Sequence, residues 1–68
     1  MIALRDIYTN TRRYEFAHAT EPRGFGVWAF EILPGEVMWA HQAHYRAAKR
    51  LALHKAQALG SYEIIVLP

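Results

Sequence analysis

The chain has 68 residues, with eight Lys and Arg, six Asp and Glu, four His and no cysteine, for a formal net charge of +2. Disulfides and thiolate metal sites are excluded, and so small a domain gains typically ~3–5 kcal/mol of net stability from its core unless something staples it. No apolar run approaches the ~18 residues of a transmembrane helix. Residues Met1 to Asp6 lack the charged and apolar regions of a signal peptide, so the expectation is a cytoplasmic protein with no membrane partner.

Taken in order, Ile2 to Tyr8 alternates loosely and reads as a short edge strand or an ordered arm. Thr9-Asn10-Thr11 reads as a turn, because these side chains bond their own backbone. Arg12 to Thr20 alternates better, with Tyr14, Phe16 and His18 on one side and Arg13, Glu15, Ala17 and Ala19 on the other, which predicts a strand. Glu21-Pro22-Arg23-Gly24 has proline and glycine where a type I turn wants them. The hairpin partner is Phe25 to Leu33, apolar on both faces: Phe25, Val27, Ala29 and Leu33 against Trp28, Phe30 and Ile32.

Pro34-Gly35 breaks that pattern, and Glu36 to Leu59 then follows helical spacing, with Gly60 placed to end it. At about 100° per residue, Val37, Ala40, His44, Ala47, Ala48, Leu51, Ala58 and Leu59 form the expected buried stripe. Opposite them fall Trp39, Gln42, Arg46, Lys49, Arg50, Leu53 and Gln57. All six acids lie outside residues 37 to 62, which makes the helix, with Arg46, Lys49, Arg50, Lys55, His41, His44 and His54, a local basic pole. Ser61 to Leu67 reads as a final strand, again apolar on both sides.

The expected fold is a single α+β domain over 1–68: an antiparallel three- to four-stranded sheet with one long helix on one face, in the order β-β-α-β, with or without an extra N-terminal strand. One helix leaves the other sheet face uncovered. Tyr14, Phe16, Trp28 and Phe30 are expected there, as an interface for a second copy or another partner, because a monomer seldom exposes so large an aromatic patch.

The residues offer little for catalysis. His41 and His44 are three apart on the expected helix, with His18 within reach from a strand, but a metal site needs further ligands and none is in view. Ser61 is the sole serine, and Glu15, Glu31 and Glu63 form no paired motif, so no enzyme activity, cofactor or metal is expected. The exposed helix face is more informative, since Trp39, Arg46, Lys49, Arg50 and Leu53 combine the residue types enriched at binding hot spots. The alternative sets the same arginines on phosphates, with Tyr14, Phe16 or Trp28 as stacking surfaces.

The arrangement Ala40-x-x-Ala43-x-x-x-Ala47-Ala48-x-x-x-Ala52, then Gly60 and a last Ile64-Ile65-Val66 strand, resembles small phage and plasmid proteins, some type I anti-CRISPR proteins among them. The resemblance covers residues 12 to 67 and is architectural. It implies a small binder that occludes a nucleic-acid or nuclease surface of a host defence complex. A homodimeric nucleic-acid-binding accessory protein using the basic helix is the alternative.

Overall fold

The computed structural model describes residues 2–68. A 3-10 turn at Leu4–Asp6 leads into strand β1 (Tyr8–Asn10), helix α1 (Arg12–His18), strands β2 (Phe25–Leu33) and β3 (Glu36–His44), helix α2 (Tyr45–Leu59) and strand β4 (Glu63–Val66). The strands form one four-stranded sheet in the order β1-β4-β2-β3. The class is α+β, as expected, but the sheet is mixed and carries two helices. Strand β4 runs parallel to β1 and antiparallel to β2, and β2 runs antiparallel to β3.

The long helix expected over Glu36–Leu59 is two elements. Pro34 presets φ in a two-residue turn and Gly35 follows with φ of +81°, the left-handed value that a type II turn requires there. Leu33 therefore pairs with Glu36, and the chain folds back along β2 instead of starting a helix. Val37, Trp39 and His41 then take one face of β3, and Met38 and Ala40 the other. Gln42, at φ 55°, absorbs a bulge where the register slips opposite Gly26 and Trp28. The additional strand reverses the chain before α2. This is why β4 arrives antiparallel to β2 and slots between β2 and β1.

The strand expected over Arg12–Thr20 is helix α1. Asn10 Oδ1 accepts the Arg12 N–H at 3.1 Å, and the Thr11 hydroxyl bonds the Glu15 carboxylate one turn on. Tyr14 and His18, which alternate as in a strand, are also one helical turn apart, and their rings stack with centroids 4.2 Å apart. Ala19, at φ 57°, ends the helix. The N-terminal strand sought in Ile2–Tyr8 is present but later, at Tyr8–Asn10.

Helix α2 sets Ala48, Ala52 and Ala56, all 0% exposed, against Trp28, Phe30 and Ile32 of β2, Ala40 of β3 and Ile64 and Val66 of β4. Alanine at i, i+4 and i+8 lets the helix backbone approach the sheet, so large side chains on the strands fill the core; burying Phe30 alone contributes about 2–3 kcal/mol. The buried stripe is rotated from the expected one. Leu51, Ala58 and Leu59 are exposed, while Leu53 and Gln57 are half-buried. The expected phase leaned on Val37 and Ala40, which belong to β3.

Gln57 Nε2 donates to the Ile2 carbonyl at 2.7 Å, tying one flank of α2 to the N-terminal segment. Gly60, at φ +74°, closes the helix, after which the Ser61 hydroxyl lies 2.7 Å from the Ile32 carbonyl oxygen and 2.9 Å from that of Glu63. Among the described residues no helix is long and apolar enough to cross a membrane.

Candidate functional site

Three of the five residues expected on the binding face of the helix come together. Arg46, Lys49 and Arg50 lie within the first six residues of α2, and the loop from Pro22 to Gly24 brings Arg23 beside them. Pro22 is buried, and the Tyr45 N–H donates to the Gly24 carbonyl at 2.8 Å, which fixes the loop against the helix start. Arg23, Arg46 and Lys49 line an open hollow of about 440 Å³ with His44, the residue at the N-cap, and Arg50 lines the neighbouring hollow with His44 and Arg46.

The electrostatics of this surface are one-sided. The first turn of α2 contains no acid, and His44 makes no side-chain capping bond, so the partial positive charge at the helix start is left uncompensated. Glu36, expected in that first turn, sits at the β2–β3 turn instead. Among the described residues the one salt bridge joins Arg13 to Glu31 at 3.6 Å, so Arg23, Arg46, Lys49 and Arg50 have no acidic partner. Beneath them Tyr45 packs against Trp28 and Phe30, with ring centroids 5.0 Å and 6.3 Å away. Burial pushes its phenol above the ordinary tyrosine range, which keeps that wall of the hollow neutral.

Trp39 and Leu53 do not join this group. Trp39 stands on β3, facing away from α2, 60% exposed and parallel to the His41 ring at 6.1 Å. The helix expected over Glu36–Leu59 would set it beside Arg46, but it belongs to β3 and leaves that group. Leu53 is half-buried against the core.

The aromatic set expected on an open sheet face is dispersed. Trp28 and Phe30 are core residues beneath α2, at 5% and 0% exposure, and cannot meet a partner. Tyr14 leaves the sheet with α1 and packs on Trp28, with centroids 5.6 Å apart, and Phe16 projects from α1 into solvent. A partly open face does exist, but it is the opposite one, where α1 covers Ala29 and reaches Glu31 through Arg13. Val27 of β2 and Val37 and Trp39 of β3 are exposed there, with Tyr8 of β1.

The histidines and the serine have structural surroundings of their own. His41 lies against Trp39, the His44 ring meets Phe25 edge-on at 5.2 Å, and His18 stacks on Tyr14. Among the described residues no three His, Cys, Asp or Glu side chains converge as a metal site would need. Ser61 is buried with its hydroxyl engaged by backbone carbonyls.

Arg23 was not legible as a member of the basic group, whereas His44 was. Arg23 is more than twenty residues from Arg46 in sequence, and the pairing of Phe25 with His44 and the Gly24–Tyr45 hydrogen bond bring the two segments together. No family model, curated protein or solved structure matches the chain.

Proposed function

We propose that this is a non-enzymatic binding protein that takes the phosphate backbone of a nucleic acid on the surface built by Arg23, His44, Arg46, Lys49 and Arg50. The observation that carries the reading is the gathering of these basic groups from two segments around two adjoining hollows that share His44 and Arg46, with no acid among them. With Trp39 elsewhere, the helix start carries no tryptophan, and its Tyr45 ring is packed inward against Trp28 and Phe30. What it offers is charge, which suits phosphates whatever their sequence.

Affinity for short DNA and RNA should therefore fall steeply with salt in a fluorescence anisotropy titration. Arg46→Glu with Arg50→Glu should abolish binding while leaving the circular dichroism unchanged, since both side chains are exposed. Replacing Arg46 alone by Ala should lower the slope of log K against log salt by about one. Absence of binding at low salt, or a double variant that binds as well as the parent, would sink the proposal.

A second reading is favoured by one observation. Trp39 is exposed beside Val37 on the face away from α2, which suits occlusion of a protein surface, as by a small inhibitor of the anti-CRISPR kind. The two surfaces are separate, so variants tell the readings apart. On this second reading Trp39→Ala loses a partner that co-purifies at moderate salt, and the Arg46/Arg50 variant keeps it.

A further inference from the structure

We propose that two copies of this chain pair through β3, antiparallel about a two-fold axis, into one continuous eight-stranded sheet, twice the four strands of one copy. Strand β3 has nine residues and lies at the edge of the sheet with β2 as its sole neighbour, whereas the opposite edge, β1, has three. A long free edge presents a row of unpaired N–H and C=O groups, which proteins ordinarily guard with lysine, proline, bulges or a covering element. From Glu36 to His41 the strand has none of the first two, and its bulge comes only at Gln42. Such a row is satisfied by another strand.

The pattern of the strand selects a second copy as that partner. Charge runs from acidic at Glu36 to basic at His44 and Arg46, so antiparallel self-pairing sets each acidic end beside the other copy's basic end. Apolar side chains flank the edge on both faces. Val37 and Trp39 lie on one; on the other, the flank of α2 turned away from the Gln57–Ile2 contact carries exposed Leu51 and Leu59. Because α2 packs on β2 and β3, the two α2 helices lie on the same face of the joined sheet, one on either side of the two-fold.

The register follows from side-chain alternation. Facing residues must share a face, so the two-fold axis falls on a residue and never between two. On Trp39 it sets Val37 opposite the other copy's His41, with the regular pairing ending at the Gln42 bulge and Glu36 beside the basic end.

Light scattering of the full chain at micromolar concentration should give twice its 7.9 kDa. Val37→Lys, an edge-guarding substitution at an exposed position, should give the single-chain mass with unchanged circular dichroism. The chain has no cysteine, so introduced ones report the geometry. Trp39→Cys should oxidise to a linked pair, and Val37→Cys should link efficiently only when mixed with His41→Cys. A parent chain that stays monomeric, a Val37→Lys variant that still dimerises, or linkage through Tyr8→Cys in place of β3, the sign of face-to-face stacking, each overturns the proposal.

Discussion

Trp28 donates its indole N–H to the Ala43 carbonyl at 3.0 Å, from β2 to β3 on the side covered by α2, while Trp39, across from Ala29 on the same two strands, points the other way. Two tryptophans within one hairpin thus occupy a dry and a wet environment, at 5% and 60% exposure. At nanomolar protein an aqueous quencher such as iodide should remove the Trp39 emission and spare the rest. Trp39→Phe should leave a blue-shifted, quencher-resistant spectrum, and Trp28→Phe the reverse.

The same contrast governs stability. Trp28→Ala leaves a core cavity and a carbonyl without its donor, and should cost about 3–5 kcal/mol in urea unfolding. Trp39→Ala should cost within ~1 kcal/mol at low protein concentration.

Ala52 touches the sheet at the middle of the alanine stripe and has no exposed surface. A leucine there must push α2 outward or twist neighbouring side chains from their rotamers, so Ala52→Leu should destabilise by about 1–3 kcal/mol. At low protein concentration Leu51→Ala, one residue away on the exposed side, should change stability by less than ~0.5 kcal/mol. Thermal unfolding of the pair reads the rotational setting of the helix directly.

Tyr45 supplies a pH test. Its burial raises the phenol pKa above the ordinary 10.0, so the folded chain holds that proton more tightly than the unfolded chain. The associated stability is complete below pH 10 and is lost as pH rises through the folded value. Tyr45→Phe should flatten the decline in denaturation midpoint above pH 10 and leave the pH dependence near neutrality unaltered.

The α+β class, β2, the second half of the long helix and the last strand were legible because each carries a strong local signal. The Glu36–His44 segment was not. Ala40, Ala43 and Met38 suit a helix as well as a strand, and pairing with β2 decides between them, which no local pattern records. Arg12–His18 failed in the opposite sense: the alternation of Tyr14, Phe16 and His18 contains an i, i+4 pair that stacks once the segment is helical. Those two errors moved the candidate site. Arg46, Lys49 and Arg50 remained on α2 as expected, whereas Trp39 left with β3, and Trp28 and Phe30 went into the core because the helix covers the face they occupy.

Strand β4 lies between β1 and β2, yet it is the last strand in the chain. The Asn10–Glu63 side-chain contact at 3.2 Å closes a loop of 53 residues, and β1 has no other strand to pair with. Hairpin β2–β3 with α2 laid over it can close through contacts near in sequence, but β1 must wait for β4. The expected order of folding has the hairpin and helix first and the meeting of the two chain ends last, slowed by the entropy of that long closure, which pulsed hydrogen exchange would show as late protection of Thr9 and Ile64. A chain shortened before Glu63 would keep its hairpin and helix and leave both sides of the hairpin open.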